Sequence, residues 1–259
     1  MLGKLMKYEF KATGRIFVPL FSALLIVSAV TRLMGSLRST APHVIGVTLA
    51  SMLIAAAFVI TLILTIQRFY KNFMTNEGYL MFTLPVNTDR LIWAKLIVAT
   101  VWTLVCGAVV SLSIAIMSTS DTSLLHIFRS NADWSMLTLD EGLFSVELIA
   151  IFLVTLLDGI LSLYACMALS LYFNKHRIAI SFAIYVGMII LFQILAVIAA
   201  SIISNANISI NEGLRVFIDT HPNGTVHMAL LLALLIIAAV GAAFFALTRH
   251  MLKNKLNLQ

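Results

Sequence analysis

One carboxylate stands where an ionisable group is costly: Asp158, near the middle of an apolar stretch from Leu143 to Phe173. At about 100° per residue, Thr155, Asp158, Ser162 and Cys166 fall within about 80° of one another, a narrow polar stripe on an otherwise apolar helix. An ionised carboxylate at the bilayer centre costs ~2.5 to 3.5 kcal/mol on insertion scales, so this face is expected to turn from lipid towards other helices or water. Asp158, Thr155 and Ser162 are therefore the candidates for lining a translocation path. For Asp158 two roles stand side by side: a cavity residue that touches cargo or gates the path, and a hydrogen-bonded packing residue. Glu147, near the outer end of the same stretch, reads as a headgroup-level residue.

Other chemistries find little footing. No Gly-x-x-x-x-Gly-Lys-Ser/Thr phosphate loop occurs, so any nucleotide engine is expected on a separate polypeptide. No His-Glu-x-x-His zinc helix is present, the six histidines are scattered, and no Gly-x-Ser-x-Gly elbow offers a nucleophile. Asp158-Gly159 superficially matches membrane phosphotransferases, but the further acids and arginine needed for metal and phosphate are missing nearby. The chain is expected to carry no catalytic residue, metal or cofactor of its own. An ion-coupled secondary transporter and an intramembrane enzyme are the alternatives; the former more often shows internal repeats and several buried ionisable groups.

The elements that must position these residues follow from composition. The 259 residues are 61% hydrophobic and 11% charged, too little polar surface to cover a soluble globule. A hydrocarbon core roughly 30 Å thick is crossed by about 20 helical residues. Six apolar stretches meet that length: 16–34, 44–66, 91–117, 143–173, 178–204 and 226–248. Continuous apolar runs, without the alternation of barrel strands, select helices. The fold class expected is thus an all-α polytopic membrane protein, one transmembrane domain over 1–259 with six spans. Cys106 and Cys166 both lie inside spans, where a free thiol behaves as a small apolar side chain. The basic amino terminus before an apolar run suggests a signal peptide, but Thr31-Arg32-Leu33-Met34 is too bulky for a cleavage site, so the first span reads as retained.

Basic residues orient the bundle. Lys4, Lys7, Lys11, Arg15, Arg68, Lys71, Arg90, Lys95, Lys175, Arg177, Arg249, Lys253 and Lys255 fall on one side, against Arg32, Arg38, Arg129 and Arg215 on the other. Both termini are therefore expected in the cytoplasm. The net charge of +6 then reflects topology and attraction to anionic lipid, and no nucleic-acid partner is needed. The outer face carries Asp121, Asp133, Asp140, Glu141, Glu212 and Asp219, which either attract a cationic cargo or keep the outer loops soluble. Residues 1–15 read as an amphipathic interfacial helix, with Leu2, Leu5, Met6, Phe10 and Thr13 on one face and lysines turned to anionic lipid or a cytoplasmic partner.

The cytoplasmic loop over 67–90 is the most informative segment. It is rich in apolar side chains, Phe69, Tyr70, Phe73, Met74, Tyr79, Leu80, Met81, Phe82 and Leu84, all expected to be exposed and to need cover from another protein or the headgroups. Glu77-Gly78 breaks an incoming helix and Leu84-Pro85 stops a short second one, since proline disfavours helical geometry at the residue before it. Asn87 to Asp89 can cap the third span. A compact helical elbow at the membrane surface is expected. The outer segments 118–142 and 205–225 read as a short amphipathic helix and as a segment dipping into the outer leaflet, with a turn at His221-Pro222-Asn223-Gly224.

Residues Glu77-Gly78-Tyr79-Leu80-Met81-Phe82-Thr83-Leu84-Pro85-Val86, followed by Arg90-Leu91-Ile92-Trp93-Ala94-Lys95-Leu96, resemble ABC-2 type ABC transporter permeases, especially the small six-span bacterial ones. The resemblance covers the whole chain in layout and this segment in motif. It implies a half-transporter in the bacterial plasma membrane: a second permease chain, alike or different, completes the path, and two separate ABC ATP-binding subunits holding ATP and Mg dock beneath. It implies that 67–90 carries a coupling helix with Asn76 to Leu84 as the docking element and Glu77, Tyr79, Phe82 and Leu84 as its contacts, Gly78 and Pro85 belonging to the same coupling segment. It further implies that the outer segment before the sixth span corresponds to the family's short re-entrant helices, although this segment lacks cysteine staples. Cargo in related permeases ranges from amphipathic peptide toxins and antimicrobial peptides to lipids, drugs and sodium; a mostly apolar bundle with a sparse polar stripe suits an amphipathic or lipid-like cargo better than a hydrophilic polymer, and a peptide is the cargo expected.

Overall fold

The computed structural model describes residues 2–36, 40–74, 88–118, 139–173, 176–208 and 222–255. They form six long helices: α1 (Leu2–Ser36), α2 (Thr40–Met74), α3 (Thr88–Met117), α4 (Leu139–Leu169), α5 (Arg177–Ile208) and α6 (Pro222–Lys255). A 3-10 turn, Ser170–Tyr172, ends α4. All six helices are long and apolar enough to cross a membrane, and no strand occurs among the described residues. The chain is thus an all-α, multi-pass membrane protein. Bilayer lipid is its solvent: Met52 is 64% exposed and Leu235 69%, values that water would penalise over so many apolar side chains.

The helices outrun the hydrocarbon. α1 has 35 residues, about 50 Å at ~1.5 Å per residue. Residues expected to form a separate interfacial helix before Ile16 instead continue the first span without a break. The reason is local: nothing between Phe10 and Ile16 stops a helix, and Thr13 closes its own hydroxyl onto the Glu9 carbonyl at 2.7 Å. α2 likewise runs on to Met74, past the expected end at Ile66.

The described helices group into two compact units, Met1–Met136 and Leu137–Gln259. In the first, α1 packs on both α2 and α3. Its core joins Phe17, Phe21 and Leu24 of α1 to Ala57 and Leu64 of α2 and Cys106 and Val110 of α3. Trp102 of α3 stacks on Phe17 with ring centroids 4.5 Å apart. Gly46 of α2 lets α1 approach closely, since a Cβ there would stand 2.7 Å from Thr31 Oγ1. At the carboxyl end of α1, Arg32 donates from Nη1 to the carbonyls of Ile116 and Ser118 at 3.1 and 3.2 Å. It thereby serves carbonyls that the last turn of α3 leaves without helical partners, where a cation also meets the negative end of the helix dipole.

In the second unit α4 packs mainly on α6 and also on α5. Between α4 and α5 the chain turns within a few residues, and His176 takes a left-handed backbone with φ 56°. Its carbonyl accepts the amide of Ile180 at 3.1 Å, starting α5. A non-glycine residue in this region costs about 1 kcal/mol or more. His176→Gly is therefore expected to raise thermal stability slightly, read as a small increase in Tm of the purified protein.

Candidate functional site

At the end of the first unit from which residues 75–87 depart, three helices meet on one carboxylate. Glu9 of α1 accepts from Lys95 Nζ at 2.9 Å on Oε1, and from Arg68 Nη1 at 3.3 Å on Oε2. Arg68 belongs to α2, which leads into 75–87, and Lys95 to α3, which leads out. The Lys95 side chain is 5% exposed, so its ammonium is held by Glu9 and by the ring of Phe73, whose centroid lies 5.5 Å from Nζ. Phe73 in turn packs on Phe69 at 4.9 Å.

This arrangement corrects one expectation. Phe69 and Phe73, read as exposed loop residues, are fully buried. The helix continues through them, which puts both rings four residues apart on the side that faces Lys95. The hydrophobic case for an external partner thus rests on residues further along. Those residues, with the candidate contacts Asn76, Glu77, Gly78, Tyr79, Phe82, Leu84 and Pro85, lie outside the described residues. So do the outer stretches 119–138 and 209–221, where a short helix and a dipping segment were expected.

The polar stripe of α4 divides. Thr155 is exposed, Asp158 half-buried, and Ser162 and Cys166 buried. Ser162 donates to the carbonyl of Gly159 in its own helix at 2.7 Å, so its hydroxyl is satisfied locally. Cys166 Sγ lies 3.9 Å from Met188 Sδ of α5. Asp158 faces α6 at Gly241. A Cβ built there would overlap Oδ1 of Asp158 and stand 2.9 Å from its Cγ. The carboxylate therefore occupies the space that the missing side chain of Gly241 leaves.

Two residues play parts that the sequence did not assign. Glu9 read only as a cytoplasmic acid, yet it sits among Leu5, Met6, Phe10 and Thr13 on the apolar face of α1. A carboxylate on such a face was the available signal. Glu147 was expected to be solvated among headgroups; its side chain is 16% exposed, and Oε2 lies 2.8 Å from His227 Nδ1 of α6. Near the starts of both helices, Asn223 donates to Asp140 Oδ2 at 3.1 Å, so α4 and α6 are joined by polar contacts as well as by apolar packing.

Among the described residues no three metal-ligating side chains gather. Comparison with known proteins returned no matching family model, no matching curated protein and no matching solved structure.

Proposed function

We propose that this chain is the permease subunit of an ATP-driven ABC exporter in a bacterial plasma membrane. The observation that carries the reading is the base under residues 75–87. Both limbs of that segment, at Arg68 and Lys95, are tied to α1 through one carboxylate, so a force applied there enters three helices together. The resemblance of 77–96 to ABC-2 permeases names the source of such a force: two separate ATP-binding subunits, with ATP and Mg held on them. A second permease chain, identical or related, completes the path for an amphipathic or hydrophobic cargo, a peptide toxin or antimicrobial peptide.

The mechanism follows from linkage. ATP binding closes the partner subunits, and closure shifts the permease only by as much as it binds one arrangement of the helices better than another. Residues 75–87 are where that differential contact is made.

The test is co-purification of this chain from its native membrane with an ABC ATP-binding subunit. Tyr79→Ala with Phe82→Ala is expected to abolish capture of the ATPase and its stimulation while leaving the membrane level of the permease unchanged. Normal capture and stimulation by the double variant overturns the docking assignment. A native complex without any nucleotide-hydrolysing companion overturns the exporter itself. A second reading, ion-coupled transport, is favoured by Asp158 alone; cargo movement driven by a proton or sodium gradient and lost in Asp158→Asn is its signature.

A further inference from the structure

We infer that Glu9 is a two-armed latch that fixes the limbs on either side of residues 75–87 to α1 independently, one arm through Arg68 and the other through Lys95. The link to transport rests on the reading of 75–87 as a docking element; the latch itself does not.

The two oxygens of one carboxylate are divided between two helices, Oε1 to Lys95 and Oε2 to Arg68. Each arm can therefore be cut without cutting the other. The arms are unequal in their setting. Lys95 is almost wholly buried against Phe73, so it has no water to exchange for Glu9, whereas the Arg68 side chain is 30% exposed and can trade the carboxylate for solvent. Lys95 is the fixed arm and Arg68 the releasable one. Opposite this junction α1 turns Lys7, Lys11 and Arg15 outward, while Glu9 and Thr13 face inward. With α1 helical from Leu2 through Glu9 to Pro19, displacement of either limb is delivered to this amino-terminal part of the first span; at Pro19 the ladder lacks one N–H. Glu9 is in this sense a positioning residue, acting on cargo only through the helices it ties.

The experiment measures distances by pulsed electron resonance in the purified full chain in lipid nanodiscs, with no ATPase present. Cys106 and Cys166 are first replaced by alanine, and spin labels are placed at pairs of the exposed positions Lys11, Gln67 and Arg90. Arg68→Gln is expected to widen the Lys11 to Gln67 distribution about two-fold and to leave Lys11 to Arg90 at its parent width. Lys95→Met is expected to do the reverse, and Glu9→Gln to widen both. Unchanged widths in Glu9→Gln, or a widening of both pairs by Arg68→Gln alone, overturn the latch. Should Glu9→Gln fail to fold, the two single-arm variants decide by themselves. Because no ATPase enters the measurement, its failure leaves docking to be judged by the Tyr79 and Phe82 double variant, and loss of docking in that variant leaves the latch standing.

Discussion

Glu9→Ala is expected to destabilise the three-helix unit by about 3 kcal/mol or more, the range found when one partner of a buried ion pair is removed and the other charge stays behind. The loss is expected as a fall in Tm of at least ~5 °C in detergent or nanodiscs. The size follows from what remains. Without Glu9, the buried ammonium of Lys95 is left against the Phe73 ring of α2, and Arg68 adds a second positive charge nearby. Lys95→Met removes the costly charge along with its bond, fills similar volume, and leaves Glu9 with Arg68; it is expected to cost far less than Glu9→Ala. Equal losses in the two variants would mean that the charge left behind by Glu9→Ala adds no penalty beyond loss of the pair itself.

The six spans were legible in the sequence, because hydropathy over about 20 residues measures the same quantity that lipid selects for. The ends of the helices were not. Hydropathy marks where hydrocarbon stops, whereas a helix stops only where its backbone bonds do, and α2 runs through Arg68, Tyr70 and Lys71 to Met74 with no breaking residue. Reading those eight residues as loop sent Phe69 and Phe73 to the surface; continuing the helix buries them.

Pairings across the sequence were out of reach for a different reason. Glu9 and Arg68 are 59 residues apart and Glu9 and Lys95 86, and a count of basic residues for topology treats each as a lone charge. Glu147 and His227 are 80 apart and were read separately for the same reason. What a single helix could have yielded is the anomaly alone: a carboxylate amid apolar neighbours in α1. The stripe on α4 was found in that way. Ser162 and Cys166 are buried and Thr155 is exposed, and period alone could not say that a glycine on α6 would receive the carboxylate of Asp158.

That glycine sets the second large effect. Gly241→Ala is expected to weaken the contact of α4 with α6 by roughly 1 to 3 kcal/mol, the usual cost of forcing extra volume into a packed interface, because the new Cβ falls on Oδ1 and within 2.9 Å of Cγ of Asp158, so the carboxylate must leave the place it now fills. Gly241→Leu should cost more and separate the pair, since small residues are what let helices approach in lipid. The physical claim lies in the coupling. If the penalty arises from collision with Asp158, then Asp158→Ala with Gly241→Ala must recover most of what Gly241→Ala alone loses, a coupling energy of about 1 kcal/mol or more in a double-mutant cycle. Thermal unfolding of the four proteins measures it. Additive losses would place the cost of Gly241→Ala elsewhere on α6 and free Asp158 from a packing role. Strong recovery would mean that this intramembrane acid is kept beside a glycine because the helices close around it, and any further contact of its carboxylate would then require those helices to part.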